Sequence, residues 1–354
     1  MDDPKKRRTV RGVRAQVLTL LASLALVVSG ALPAAAATTM TVSGTVACQS
    51  GAAVTGIWIQ SSNGGSGWAK RTARSGASWI SDYTFAIKSG KASTSVELAV
   101  GCGGTPTTWA SSNKVKLGTL AGSKSFSATC KDVKGKTAYS CSSWKSYSVM
   151  AATAKMSGPY LTNYAKKGTY AKAAKVKLAC YTWGQSISGW AGTSNLWYRT
   201  SDGNYIADTN VNTGSNSAVT AACPRVSLAT FVSDTRGKTW ANAAGGFSGE
   251  CVSLVSQYLW RVYGIKSGSW GNAVDYRSAG TGGNQLKAKG FAWSTNKSFK
   301  NGDILVWGSA PYGHIGIYYN GQVYDQNDGR HAPARTANYS GNVWASSYLG
   351  HWRK

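Results

Sequence analysis

Short runs in which apolar and polar residues alternate open the chain after residue 37. Examples are Met40-Thr-Val-Ser-Gly-Thr-Val46, Val54-Thr-Gly-Ile-Trp-Ile59 and Val96-Glu-Leu-Ala-Val100. A period of two predicts half-buried strands, and Gly, Ser and Asn clusters such as Ser61-Ser-Asn-Gly-Gly-Ser-Gly67 predict the turns between them. Residues 38–131 therefore read as an all-β sandwich. Residues 132–213 read as a second small β unit, with a hairpin turn at Asp202-Gly203. Residues 214–234 read as a linker, apolar enough from Val219 to Val232 to pack against a neighbour. The period changes in residues 235–354. Val252, Val255, Leu259 and Val262 are spaced as on one helix face, and Gly264 supplies the stop. Alternation then returns in Asp303-Ile-Leu-Val-Trp307 and on both sides of Asn320-Gly321. A helix on an antiparallel sheet is an α+β arrangement, so the predicted fold class is multidomain: two β modules followed by an α+β domain.

The last third also carries the candidate chemistry. Cys251 falls in the first turn of its helix, where unpaired amides and the helix dipole favour a thiol's reactive, ionised form. The same amides suit a developing oxyanion. Asn320-Gly321 predicts a two-residue type I′ turn. Tyr319 then pairs with Gln322, Gly316 faces Asp325, and His314 faces Asn327. Alternation places His314, Asp325 and Asn327 on one face, with Asn327 the direct and Asp325 the diagonal neighbour of the histidine. Which of the two orients the ring is left open. A lone cysteine is usually a small core residue and a lone strand histidine usually structural; it is their conjunction that points to a nucleophile and its base. Trp270-Gly-Asn-Ala-Val-Asp-Tyr276 should lie on the cleft wall, where Asn272 and Asp275 bind substrate or cap the following helix. Trp307 is expected among the substrate-binding residues. His331 and His351 have no matching motif.

Five blocks in order resemble the CHAP domain, the cysteine, histidine-dependent amidohydrolases/peptidases of peptidoglycan hydrolases. They are Gly-Glu-Cys-Val opening a helix, Trp270–Asp275, Gly302–Trp307, Gly313-His-Ile-Gly-Ile and Asp325-Gln-Asn327. The resemblance implies a papain-like fold, with Cys251 as nucleophile, His314 as base, and Asp325 and Asn327 as the orienting pair. Two positions depart from the pattern: Glu250 stands where Gln is frequent, and Asp325 where Glu is common. Some relatives bind calcium through an acidic loop before the cysteine. Thr239–Gly249 has no Asp or Glu, so neither a metal site nor another cofactor is expected. Upstream, Lys155–Tyr160, Lys177–Gln185 and Leu196–Asp208 resemble a bacterial SH3-like wall-binding domain, which implies a β-barrel for residues 132–213.

Targeting and cysteine usage agree with work outside the cytoplasm. Lys5-Lys-Arg-Arg8, the apolar run Val17–Val28 and Ala34-Ala-Ala36 make residues 1–37 a secretory signal peptide. The apolar run falls short of the ~20 residues of a membrane span, and no later run is long enough. Arg7-Arg8 leaves Sec and twin-arginine export both open. Six of the seven cysteines precede the last domain and read as three disulfides. The expected pairing is Cys48–Cys102, Cys130–Cys141 and Cys180–Cys223, with Cys251 left free.

Charge is the compositional outlier, with 39 Lys and Arg against 13 Asp and Glu. Such a field attracts polyanions. Export directs the expectation to peptidoglycan and anionic wall polymers, with no specific nucleic-acid partner. Between Val133 and Ser201 there is no acid at all, while Trp183, Trp190, Trp197, Tyr181 and Tyr198 are interleaved with lysines. Sugar or peptide stacking and plain core packing compete for those rings. The combined reading is a secreted wall amidase or endopeptidase. A wall-binding protein with a degenerate hydrolase fold and a basic nucleic-acid binder are the other classes.

Overall fold

The computed structural model describes residues 38–309, 311–329, 335–341 and 346–354. The signal-peptide reading of residues 1–37 and His331 lie outside them. Among the described residues, no helix is long and apolar enough to cross a membrane.

The N-terminal alternating runs form two sheets. One is built on Thr38–Cys48 paired antiparallel with Ala77–Ser89, the other on Val54–Ser61, Thr94–Gly104 and Trp109–Leu120. Met40, Val42 and Val46 from the first and Ile57, Ile59, Leu98 and Val100 from the second share one buried cluster, as period-two patterning requires when both inner faces are covered. Cys48–Cys102 joins the two sheets within that cluster, and Cys130–Cys141 and Cys180–Cys223 are the other disulfides. All three are the pairs expected from the sequence. The Cys48–Cys102 link closes a loop of 54 residues. Replacing both cysteines by serine is expected to lower stability by about 2–5 kcal/mol, measurable as a shift in the thermal midpoint.

Strands between Ser146 and Asn212 make a seven-stranded sheet around Val149, Val176, Leu178, Leu196, Tyr198 and Ile206. The Asp202-Gly203 turn is present: Arg199 pairs with Tyr205, Gly203 has φ +86°, and Asp202 Oδ1 accepts from the Asn204 amide at 3.1 Å. Residues 218–226 then cross to the last third. Helix α1 (Leu228–Thr235) is capped by Ser227, whose hydroxyl accepts from the Thr230 amide at 3.1 Å. Its Phe231 and Val232 are buried in the C-terminal core.

That core lies between helix α2 (Cys251–Tyr263) and a six-stranded antiparallel sheet. Across the sheet the strands run Ala292–Ser294, Tyr348–Arg353, Ile304–Trp307, His314–Tyr319, Gln322–Asp325 and Asn338–Gly341. A third helix, α3 (Thr281–Ala288), contributes Leu286. Val255 and Leu259 are fully buried, as their spacing predicts, but so are Ser253, Ser256 and Gln257. The reason is that α2 is covered on its other side too. Ser256 Oγ donates to Asn242 Oδ1 at 2.9 Å, and Gln257 Nε2 donates to Tyr160 OH at 2.7 Å and to the Ala241 carbonyl at 2.8 Å. Ser253 Oγ donates to the Phe247 carbonyl at 2.7 Å, so all three buried side chains have partners. Gly264, with φ +73°, ends the helix.

Candidate active site

Glu250 is the N-cap of α2 and Cys251 its first residue. The thiol therefore stands over the first amides of the helix, which have no carbonyl four residues earlier to bond. His314 begins the first strand of the hairpin. The turn between its strands has Asn320 at φ +50° and Gly321 at φ +83°, the positive pair a type I′ turn needs. Tyr319 pairs with Gln322 and Ile317 with Tyr324, the register expected.

The brace on the histidine is Asp325. Its Oδ2 lies 2.8 Å from His314 Nε2 and also accepts from Ser340 Oγ at 2.7 Å. Asp325 is completely buried, and its Oδ1 has no hydrogen-bond partner among the described residues. With Nε2 committed to the carboxylate, Nδ1 is the ring nitrogen left to take a proton from Cys251, which lines the same groove. Burial alone would lower the histidine's pKa. The bonds to Asp325 and Cys251 outweigh it and push the value up to about 10. The imidazolium is thus stabilised across the neutral range by a carboxylate on one side and sulfur on the other.

Asp325 is the diagonal neighbour, yet its short side chain reaches. Gly316 explains this: a Cβ there would lie 2.5 Å from Val323 Cγ1 and 3.0 Å from Asp325 Cβ. The missing side chain leaves the space through which the carboxylate leans toward His314. Gly316→Ala is expected to displace Asp325 and slow turnover by tens of fold, with the thermal midpoint moving by only a few degrees. Steady-state kinetics with a thermal melt on the same preparation checks both.

Asn327 does not face His314. The strand ends at Asp325, and Asn327 takes φ +63°. Its Nδ2 donates to Glu250 Oε2 at 2.8 Å, while Arg335 Nη1 donates to Glu250 Oε1 at 2.5 Å. The Glu250 carboxylate is thus held by two donors and has none of its own to offer an oxyanion.

Gln326 was not singled out in the sequence, although it sits in the Asp325-Gln-Asn327 run. It is fully buried. Its Oε1 accepts from the Trp240 amide at 2.9 Å, and its Nε2 donates to the Trp240 carbonyl at 3.0 Å and the Glu250 carbonyl at 2.9 Å. One side chain therefore ties the end of the Asp325 strand to the residue before Cys251.

Cys251 and His314 line a groove of about 640 Å³ with Glu250, Trp270, Asn272 and Tyr312. Two aromatic rings stand on it largely bare, Phe247 at 79% and Tyr312 at 65% exposed. Asn272 is on the groove wall. Asp275 is not among its lining residues; its Oδ2 accepts from the Asn272 amide at 2.9 Å, so it caps the 3₁₀ turn Ala273–Tyr276. Trp307 also departs from the expectation of a substrate-binding residue. It is 4% exposed and its ring packs 5.7 Å from that of His314, behind the histidine rather than in the groove. His351 is buried within 3.6 Å of Asp303, away from the groove residues.

The arrangement can pass a proton from a thiol to an imidazole, present the sulfur at the start of a helix and return the proton from the imidazolium. Among curated proteins the chain has no significant match. Among solved structures it is similar to NlpC2 from Trichomonas vaginalis at 12% identity and a TM-score of 0.26, over 90% of this chain and 99% of that one. That likeness is too slight to bear on the fold. Residues 239–328, which hold Cys251, His314, Asp325 and Asn327, match the model of the CHAP domain.

Proposed function

We propose that the protein is a secreted peptidoglycan hydrolase that cuts an amide of the wall peptide through Cys251. The observation that carries this reading is that His314, its Nε2 2.8 Å from the Asp325 carboxylate, lines one groove with the free thiol of Cys251. His314 takes the thiol proton, and the thiolate attacks the amide carbonyl. The tetrahedral oxyanion bonds to the open helix amides, and the imidazolium protonates the departing amine. Water then releases the acyl group from sulfur, with His314 acting as base. Asp325 holds the ring, and Asn327 and Gln326 hold the end of the nucleophile's helix to the strand. Asn272 and the exposed rings Phe247 and Tyr312 contact the substrate. The N-terminal sheets serve as a sandwich spacer. The middle sheet serves as an SH3-like wall-binding unit, and its excess of lysine meets the carboxylates of the wall.

The experiment is digestion of purified walls followed by mass spectrometry of the products. New amino termini on alanine with free muramic carboxylates identify the N-acetylmuramoyl–L-alanine bond. Termini within the stem or bridge identify an endopeptidase. Walls that are bound but yield no new termini would replace this reading with that of a non-catalytic binder. Affinity for DNA exceeding that for walls at one salt concentration would point to a nucleic-acid binder.

A further inference from the structure

Helix α2 carries the thiol at one end and borders a second cleft at the other. Gln257, Trp260, Arg261 and Gly264 line that cleft, which measures about 720 Å³ and shares no lining residue with the groove at Cys251. At 1.5 Å per residue, the ten positions from Cys251 to Arg261 span about 15 Å. Its walls come from every part of the described chain: Trp79 from the N-terminal sheets, Arg199 and Tyr205 from the middle sheet, and Arg225 and Asp234 from the approach to α2. The Cys180–Cys223 disulfide holds the segment that forms one side, since Cys223 and Pro224 are themselves lining residues.

Charge in this cleft is not balanced. Among the described residues, three guanidinium groups line it against the one carboxylate of Asp234. That carboxylate is already occupied, accepting from Tyr164 OH at 2.6 Å and from Arg261 Nη2 and pairing with Lys238 at 3.7 Å. Arg261 Nη1 and Arg199 Nε are buried with no hydrogen-bond partner among the described residues. Arg199 makes no side-chain hydrogen bond or ion pair among those residues. Its guanidinium carbon instead lies 5.0 Å from the centroid of Trp79 and 5.9 Å from that of Tyr205. A guanidinium held between two rings has lost its freedom before any ligand arrives. Its fork of N–H donors suits two oxygens of one oxyanion. Buried donors without acceptors are costly to keep, and an anion supplies the acceptors.

We propose that this cleft is a second binding site, for a carboxylate or phosphate group of a small wall fragment, with Arg199 and Arg225 as its principal ligands. The wall origin of the ligand rests on the proposed function, whereas anion binding at this cleft is tested at residues outside the groove and without the nucleophile.

The test is isothermal titration of the Cys251→Ala protein with N-acetylmuramic acid, its uncharged methyl ester, and glycerol phosphate. At least one of the two anions is expected to bind, and the ester is not. Arg199→Gln and Arg225→Gln should each weaken that binding roughly tenfold or more, the loss expected for a charged hydrogen bond. The tighter anion tells a sugar carboxylate from a phosphate source. Arg225 is exposed, so its variant reads the site even where loss of Arg199 disturbs folding, and circular dichroism separates the two cases. Absence of binding by both anions, equal binding of the ester, or unchanged affinity in the Arg225→Gln protein would overturn the proposal.

Discussion

Cys251→Ala is expected to leave the fold intact and to reduce wall hydrolysis by roughly 10⁴-fold or more. The side chain is half-buried at the start of α2 and makes no disulfide, so alanine removes the sulfur without opening a large cavity. Val255, Leu259 and the buried polar contacts of the helix are untouched. Binding to walls should persist, because the lysine-rich middle sheet is unaltered. The measurement is clearing of purified walls alongside a pull-down with the same walls. Clearing by the alanine variant at the wild-type rate would falsify the mechanism, whereas loss of clearing with retained binding separates chemistry from recognition. Cys251→Ser is a finer probe. It keeps a proton donor at the same position but substitutes a much less acidic nucleophile, and its activity should resemble that of alanine.

Asp325→Asn carries the second largest effect, a fall in turnover of about 10²–10⁴-fold with a smaller change in KM. The carboxylate accepts from His314 Nε2 and Ser340 Oγ. An amide in its place offers weaker acceptance and two donors of its own, so the ring loses both its orientation and the charge that stabilises its imidazolium. The titration of His314 should report this directly. Burial lowers the histidine's pKa, and the bonds to Asp325 and Cys251 raise it to about 10. Without the carboxylate the midpoint should drop by more than one unit, as followed by NMR of the ring protons. The alkaline limb of the rate profile should move down with it, both being properties of the coupled thiol–imidazole pair.

The sign for stability follows from the same shift. A histidine whose pKa is higher in the folded than in the unfolded chain stabilises the fold fully below its unfolded value, near 6.5. That contribution fades as pH rises through about 10. The difference in thermal midpoint between wild type and Asp325→Asn should therefore be larger at pH 6 than at pH 10. A gap that widens with pH would contradict the assignment of Asp325 as the charged partner.

Several features follow from residues a few positions apart, and these were legible without coordinates. Helical spacing from Val252 to Val262 with Gly264 after it defines α2 and puts Cys251 in its first turn. Asn320-Gly321 defines a turn, and a two-residue turn leaves one register for the strands beside it. Gly316 opposite Asp325 follows from that register. The odd cysteine, set against six that pair, marked the free thiol.

What the sequence by itself determined is thus a thiol at a helix start and an imidazole on a hairpin with Asp325 as its diagonal neighbour. Only the tertiary structure decided that Asp325 and not Asn327 braces the ring, that Trp307 lies behind it, and that arginines from separate segments converge on a second cleft. The reason is reach along the chain. Periodicity and turn chemistry act over a few residues, whereas the choice between Asp325 and Asn327 depends on where the strand stops. Gln326 anchors that point to Trp240 and Glu250, 86 and 76 positions away. Contacts over such separations exist only once the helix and the sheet have packed together.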